Sequence, residues 1–198
     1  LNGAQTSIAE SVEPNHSSSW DQWGNVVSTT TTLNFSFGSC IAVSGAGFLL
    51  NNEMDDFSAK PGSPNGYGLI GGVANEIQPG KRPLSAMTPT IVFDEKGAPI
   101  LATGSPGGST IITAVLQVLL NILEFNMGIA DATAASRIHH QWLPDRMGYE
   151  PGISPDTLHL LTQMGHSLEQ EARILGSTQT IHKGVNGATM GASDTRRD

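Results

Sequence analysis

The pattern of hydrophobic and polar positions changes about half-way along the chain. In the first half, short β-branched runs alternate with polar and glycine-rich segments, a pattern typical of strands joined by loops. In the second half, the segment from Thr110 to Phe125 is apolar on nearly every face and predicts a buried helix. Strands first, then helices, then a closing strand favour a layered α+β domain.

The other predicted elements are short. Strands are predicted over residues 26–34, 46–50, 90–93, 100–103 and 177–182. Helices are predicted from Ile129 to Ala135 and from Pro155 to Met164, the second capped by Ser154. Residues 1–19 carry few large apolar side chains and predict a loose leader, followed by a single domain over residues 20–198.

One long segment, residues 58–83, is rich in glycine and proline and has only short apolar runs. Such a composition is typical of loops rather than of helices or strands. Long loops without their own secondary structure run over the protein surface and often carry functional residues. We therefore expect this segment to wrap over another part of the chain.

Composition and charge exclude several classes of protein. Hydrophobic residues make up 38% and charged residues 14%, which excludes a charge-rich disordered chain. The stretch Ile111–Leu123 is too short and too polar to span a bilayer, which takes about 20 apolar residues. Ten Lys and Arg against 18 Asp and Glu leave a formal net charge of −8, which disfavours nucleic acid. We expect no membrane insertion and no nucleic-acid partner.

The glycine turn at residues 104–109, with the sequence GSPGGS, directly precedes the predicted apolar helix. Consecutive glycines at a helix start let backbone N–H groups converge on a negatively charged oxygen, as in an oxyanion hole. A glycine pair in this place is more often only a tight turn, and this alternative stays open. A phosphate-binding P-loop is excluded because the required lysine is absent.

The acidic loop from Asn51 to Asp56 gathers three carboxylates and two amides within six residues. Such a cluster suits an ammonium group or a hard cation such as Ca²⁺. It lacks the alternation and the central glycine of an EF-hand loop, so an ammonium group is the better fit. A solvated acidic turn without a ligand is the alternative.

A similar ambiguity applies to the run Thr29–Thr32, which fits either an exposed edge strand or a strand whose hydroxyls line a site.

Seven segments, taken in order, resemble the small subunit of γ-glutamyltranspeptidase, an N-terminal nucleophile hydrolase. They are DQWGN at 21–25, TLN at 32–34, LLNNEMDDF at 49–57, KRPLSAM at 81–87, GSPGG at 104–108, HHQWLPD at 139–145 and GASD at 191–194. The resemblance extends from about His16 to the C-terminus. It implies an α+β fold, the αββα sandwich of N-terminal nucleophile hydrolases, of which this chain is the small-subunit portion.

The resemblance also implies an activity. In that family a precursor is cut so that a threonine becomes the first residue of the small subunit. Its hydroxyl attacks a γ-glutamyl amide such as glutathione, and its freed amine can serve as the base. The γ-glutamyl group then passes to water or to an acceptor amine. The implied partner is the large subunit, or N-terminal half, of the same precursor. No cofactor or metal is implied, and the implied location is periplasmic or secreted.

Seven positions receive implied roles from the resemblance. Those implied to bind the glutamyl group are Asn34, Glu53, Asp56 and Ser85. The first three would hold its α-ammonium group, and Ser85 would meet its α-carboxylate. In the catalytic group, Thr32 would hydrogen-bond the nucleophile, and the amides of Gly107 and Gly108 would form the oxyanion hole.

The chain departs from the family pattern at the nucleophile itself. Counting back from His16, Pro14 stands where the attacking threonine is expected, and proline has no hydroxyl. The serines at 17–19 are the nearest hydroxyls, but their use would require a shift in strand register. Ala86 also replaces a second serine next to Ser85. Two hypotheses follow: a γ-glutamyl transferase or hydrolase, or a non-catalytic relative that binds γ-glutamyl compounds or amino acids.

Overall fold

The computed structural model describes residues 15–184 and 186–197, which form eight strands and three α-helices. The strands are β1 (Asn15–Trp20), β2 (Val26–Thr31), β3 (Thr90–Phe93), β4 (Pro99–Thr103), β5 (Ile138–His139), β6 (Gly148–Tyr149), β7 (Gln179–Lys183) and β8 (Thr189–Ser193). The helices are α1 (Ile111–Leu123), α2 (Ile129–Ala134) and α3 (Pro155–Gln163). None of the helices in these ranges is long and apolar enough to cross a membrane.

Two antiparallel sheets pack face to face at the centre. The larger has the strand order β3-β4-β7-β8, and the β1–β2 hairpin lies against it. Serine side chains join the two layers: Ser18 Oγ donates a hydrogen bond to the Gln179 carbonyl oxygen at 2.9 Å. Ser28 Oγ donates to the Thr103 carbonyl oxygen, also at 2.9 Å. The interface between the sheets is therefore partly polar, which suits small side chains with hydroxyls.

The hydrophobic core lies between the larger sheet and the helices α1 and α2. It consists of Leu101, Val118, Ile122, Ile129 and Ala132. Leu101 and Val118 have no exposed surface, and burial of each such side chain stabilises the fold by about 1.5–3 kcal/mol. Helix, sheet and sheet thus form successive layers, and the predicted α+β class is confirmed. In the αββα sandwich, a further helical layer would cover the β1–β2 hairpin.

Most elements predicted in the second half of the chain are present. The hairpin β3–β4 and the helices α1, α2 and α3 begin and end within two residues of their predicted bounds. Ser154 caps α3, because its Oγ accepts a hydrogen bond from the Thr157 amide at 3.2 Å. The closing strand is β7, and β8 follows it. We did not predict β8 because Thr189–Ser193 contains glycine and alanine and buries little apolar surface.

Two predictions for the first 50 residues are wrong. Residues 15–19 are not part of a loose leader but belong to β1, which pairs with β2. Its inward-facing side chains include His16 and Ser18, so the strand lacks the apolar alternation that would have identified it. Residues 1–14, the rest of the predicted leader, lie outside the described residues.

The strand predicted at residues 46–50 is also absent. A single bridge between Ala42 and Leu49 takes its place. Gly45 and Gly47 have φ angles of 80° and 73°, left-handed conformations that turn the chain instead of extending it.

Candidate active site

Six of the seven predicted site residues line one small cavity of about 40 Å³. They are Thr32, Asn34, Glu53, Asp56, Ser85 and Gly108. Gly107 adjoins Gly108 in the same turn and lines a neighbouring cavity. The site therefore forms where the end of β2, the acidic turn and the glycine turn before α1 meet. Of the residues that the structure describes, no lysine or arginine lines the small cavity.

The end of β2 brings Thr32 and Asn34 to the cavity. β2 ends at Thr31, three residues before the predicted end, because Asn34 has a φ of 74°, a conformation that asparagine tolerates. The Asn34 amide donates to Thr32 Oγ1 at 2.8 Å, which leaves the hydroxyl hydrogen of Thr32 free for a second partner. β1 begins at Asn15, opposite Thr31. The start of β1 therefore lies beside Thr32.

Two carboxyl groups face the cavity from the 3₁₀ turn Glu53–Asp56. Glu53 Oε1 is buried, and no described residue donates a hydrogen bond to it. Buried polar atoms are nearly always satisfied, so an oxygen without a donor indicates a missing partner. A ligand with an N–H group, an ammonium above all, would provide that partner.

The same two carboxyl groups resist full ionisation. Partial burial raises the pKa of Glu53 to about 7, and the negative charge of Asp56 adds to the effect. Burial also raises the pKa of Asp56. Because the two groups interact closely, they titrate as a pair that retains one proton near neutral pH. A bound ammonium group would offset the same repulsion and would displace that proton.

We expect ligands with an ammonium group to bind more tightly as the pH rises from about 6 to about 8. At the lower pH the proton on Glu53 must leave before the cation can be held, whereas at the higher pH the carboxylate is already ionised. Calorimetric titration with L-glutamate across this range measures the effect. In the variant Glu53→Gln, which cannot ionise, the affinity should be lower and nearly independent of pH. Equal affinity of the unmodified protein at both pH values would contradict this role of Glu53.

The glycine turn presents two free backbone donors. Gly107 and Gly108 have φ angles of 141° and 54°, which favour glycine at both positions. Thr110 closes the turn, as its Oγ1 donates to the Gly107 carbonyl oxygen at 2.8 Å. Neither amide, of Gly107 or of Gly108, donates a hydrogen bond to another described residue. Both are therefore available to a ligand oxygen, which favours an oxyanion hole over a purely structural turn.

Tyr67, which we did not predict as a site residue, forms one wall of the cavity. Its hydroxyl donates to the Asn34 carbonyl oxygen at 2.8 Å. Its ring lies against Gly108, where a Cβ atom would come within 2.8 Å of the ring, so any larger residue at that position would displace the tyrosine. Tyr67 is the only aromatic residue in the predicted wrapping loop at residues 58–83. An isolated aromatic side chain in a loop of this composition was the one sequence feature that could have identified Tyr67 as a site residue.

A chain of hydrogen bonds connects the glycine turn to the segment at residues 175–178. Ser105 Oγ accepts from the Ser177 amide at 2.9 Å and donates to the Pro106 carbonyl oxygen at 2.6 Å. A Cβ at Gly176 would collide with Ser105. The position of the turn therefore depends on the position of this neighbouring segment.

Four buried or nearly buried charged groups hold that segment in turn. Arg137 pairs with Asp194 at 2.7 Å, and Arg196 pairs with Asp194 at 2.8 Å and with Glu150 at 2.7 Å. The two carboxylates accept hydrogen bonds from the Leu175 and Thr178 amides at 2.7 and 2.9 Å. Burial opposes the ionisation of Asp194, but hydrogen bonds from Arg196 and the charge of Arg137 hold its pKa below the usual value. Of these four charged residues, the sequence analysis identified only Asp194, as part of the segment GASD at residues 191–194.

The serines near the expected nucleophile position do not reach the small cavity. Ser18 Oγ lies between the sheets, donates to the Gln179 carbonyl and lies 3.1 Å from His16 Nε2. Burial lowers the pKa of His16 to about 4, so this imidazole is neutral. Ser17 and Ser19 are exposed on the opposite face of β1. Pro14, which stands in the expected nucleophile position, lies outside the described residues.

Comparison with known proteins agrees with the sequence motifs. The family model described as Gamma-glutamyltranspeptidase matches residues 2–198. The chain is 53% identical over 187 residues to the glutathione hydrolase proenzyme of Escherichia coli K12, a match that covers 94% of this chain and 32% of that protein. The corresponding protein of Pseudomonas aeruginosa is 48% identical over 91% of this chain and 33% of its own length. The chain thus spans about a third of these curated relatives.

A solved chain of a γ-glutamyltranspeptidase mutant from Helicobacter pylori matches with a TM-score of 0.86 and 49% identity. The match covers 92% of this chain and 99% of that chain. The solved chain and the present chain therefore match over nearly their whole lengths, whereas only about a third of each curated relative is matched. The predicted fold of an N-terminal nucleophile hydrolase is confirmed. By its sequence motifs, its fold and these matches, the chain belongs to the γ-glutamyltranspeptidase family.

Proposed function

We propose that the chain is the small-subunit part of a protein that binds γ-glutamyl amides and hydrolyses them or transfers their γ-glutamyl group to an amine. The buried oxygen of Glu53 that has no donor carries this proposal. Glu53 lines a cavity that Gly108 also lines, and the Gly108 amide donates to no other described residue. A γ-glutamyl amide has the two groups that such a cavity requires, an ammonium at one end and a carbonyl oxygen towards the other.

The bound glutamyl group would use the donors and acceptors that the cavity leaves free. Glu53 and Asp56 would hold the α-ammonium, with Asn34 beside them. Ser85 Oγ already accepts from the Met87 amide at 3.2 Å, so its hydrogen is free to bind the α-carboxylate. The amides of Gly107 and Gly108 would polarise the scissile carbonyl; loss of one such donor typically costs about 2.7–4 kcal/mol of transition-state stabilisation.

The attacking group is what separates the two candidate functions. In an enzyme of this design, a hydroxyl beside Thr32 attacks the polarised carbonyl carbon, the amine leaves and water or an acceptor amine releases the γ-glutamyl group. Pro14 offers no such hydroxyl. This proline favours the second candidate, a non-catalytic relative that binds γ-glutamyl compounds, whereas the arrangement of donors and acceptors around the cavity favours the enzyme.

Hydrolysis of a γ-glutamyl anilide by the purified protein, together with any polypeptide that accompanies it, distinguishes the candidates. Turnover supports the enzyme, and separate alanine variants of Ser17, Ser18 and Ser19 then test for a replacement nucleophile. Binding of L-glutamate without turnover supports the non-catalytic relative. The absence of both turnover and binding would contradict the proposed function.

The proposed partner is the larger, N-terminal part of the same precursor. Curated relatives are named proenzymes and are about three times as long as the matched region. The described residues also leave one face of α1 without full cover: its apolar side chains Ile112, Leu116, Leu120 and Leu123 are 42–51% exposed. An apolar stripe of this kind marks a contact surface. Native mass spectrometry should find the chain bound to a longer polypeptide; a lone folded chain would contradict this proposal.

A further inference from the structure

We propose that Asn75 is a positioning residue of the small cavity. Its side chain would fix the distance between the carboxyl groups that hold the α-ammonium of the ligand and the serine that binds its α-carboxylate. Asn75 does not line the small cavity, so it acts through residues that do. The inference rests on the proposed function, because it concerns how the two halves of that binding site are held together.

The carboxamide of Asn75 joins two segments that contribute to the site. Its Nδ2 donates a hydrogen bond at 2.7 Å to the carbonyl oxygen of Asp56, at the end of the acidic turn. Its Oδ1 accepts a hydrogen bond at 2.9 Å from the amide of Leu84, directly before Ser85. The two ends of the carboxamide are not interchangeable, because one partner is an acceptor and the other is a donor. One planar group therefore connects the acidic turn to the segment that carries Ser85.

The backbone of Asn75 is itself held in place. It ends the 3₁₀ turn Val73–Asn75, and its amide donates to the Gly72 carbonyl oxygen at 3.1 Å. Its carbonyl oxygen accepts from the Ser58 amide at 2.9 Å. A short side chain on a fixed backbone can set the distance between its two partners.

The segment that carries Ser85 has few other anchors. Residues 82–87 form neither helix nor strand. Among the described residues, the bond between Leu84 and Asn75 is the one hydrogen bond that joins residues 82–87 to another segment. The Met87 amide bonds to Ser85 Oγ, within the segment itself. Loss of the bond to Asn75 would therefore free Ser85 to move relative to the acidic turn.

The chemistry of the ligand makes this distance important. In an α-amino acid the ammonium and the carboxylate are attached to the same carbon atom, so the groups that bind them must keep a fixed relative position. Binding sites need such groups within about 0.5 Å of the productive arrangement. Glu53 and Asp56 lie on one side of this pair of charges, and Ser85 lies on the other. Asn75 would hold the two sides at the required separation.

A double-mutant cycle with Asn75→Ala and Ser85→Ala tests the proposal. Calorimetric titration with L-glutamate measures binding to the protein purified with whatever polypeptide accompanies it. We expect each single substitution to weaken binding about tenfold, the effect of one charge-assisted hydrogen bond. In Asn75→Ala the serine is already misplaced, so the addition of Ser85→Ala should cost no more than about a further twofold. If Asn75 only stabilised the fold, the two effects would be independent and the double variant would lose about a hundredfold.

Two further variants complete the experiment. Gln78→Ala is the matched control, since Gln78 has an exposed carboxamide in the same loop that donates to Glu76 Oε1 at 3.0 Å. It should bind L-glutamate like the unmodified protein, and Ser85→Ala should keep its full effect in that background. Asn75→Asp retains the size and the acceptor of the side chain, but its carboxylate has no hydrogen for the Asp56 carbonyl oxygen. If chemical unfolding shows that Asn75→Ala is not folded, Asn75→Asp takes its place in the cycle.

Each contrary result has a distinct meaning. If L-glutamate binds but the effects of the two substitutions are independent, or either substitution alone leaves binding unchanged, the positioning role is wrong and the proposed function stands. If Gln78→Ala also removes the effect of Ser85→Ala, the coupling is not specific to Asn75 and the proposal is again wrong. If L-glutamate fails to bind the unmodified protein, the proposed function is wrong, and this inference is wrong with it.

Discussion

Replacement of Asp194 by alanine is expected to lower the free energy of unfolding by about 3–5 kcal/mol, the usual effect of breaking a buried ion pair. The carboxylate joins Arg137 and Arg196 at 2.7 and 2.8 Å and has no exposed side-chain surface. Its removal leaves the guanidinium groups of Arg137 and Arg196 close together without the negative charge that pairs with both. It also removes the acceptor of the Thr178 amide, in the segment that positions the glycine turn.

The matched control is Asp145→Ala. Asp145 is 84% exposed and lies 3.1 Å from His140, so its removal should change stability by less than about 1 kcal/mol. Chemical unfolding of both variants, followed by tryptophan fluorescence, measures the difference. Because Ser177 and Ser105 connect the network to the turn, Asp194→Ala should also weaken binding of a γ-glutamyl ligand. Equal stability of the two variants would contradict the role assigned to the buried ions.

Replacement of Pro14 by threonine, in a precursor that includes the N-terminal part, is expected to restore self-cleavage and hydrolysis of a γ-glutamyl anilide. Threonine supplies the attacking hydroxyl, and the amine freed by cleavage supplies a base. Removal of the nucleophile alone costs about 10⁶ in kcat in one well-studied serine hydrolase, so the expected gain is several orders of magnitude. Among the described residues, other parts of such a site are present: the hydroxyl of Thr32 has a free hydrogen, and the Gly107 and Gly108 amides donate to no other residue.

Valine at the same position is the control for this experiment. Pro14→Val has nearly the shape of the threonine variant but no hydroxyl, and it should neither cleave nor hydrolyse the anilide. Activity in both variants would assign the chemistry to another group. Failure of both, with ligand binding retained, would mean that the site lacks more than its nucleophile and would favour the non-catalytic relative.

The parts of the site that the sequence predicted are those built from local segments. The acidic turn and the glycine turn are each continuous in sequence, and backbone geometry explains why carboxylates in one and glycines in the other serve binding. What the local patterns left open was whether either turn carries a ligand. The buried oxygen of Glu53 and the free amides of Gly107 and Gly108 now favour a ligand at both.

The features that the sequence did not predict depend on contacts between distant segments. The pairing of Arg137 with Asp194 joins residues 57 positions apart, and such pairs leave no periodic pattern. Strand β1 escaped prediction because its buried positions hold His16 and Ser18, and hydrogen bonds replace apolar packing there. Ser18 donates to the larger sheet, and His16 bonds to Ser18 and Thr30 within the hairpin. Tyr67 reaches the site through the fold of a long loop, which composition alone does not determine.

The central claim is that the small cavity recognises the α-ammonium of a γ-glutamyl group. A calorimetric comparison of L-glutamine with glutaramic acid tests it most directly, because the two compounds differ only in the α-amino group. The arrangement of Glu53, Asp56 and Asn34 predicts that L-glutamine binds, and that glutaramic acid binds at least about tenfold more weakly because it leaves the buried Oε1 of Glu53 without a donor. Equal binding of the two compounds, or binding of neither, would contradict the account.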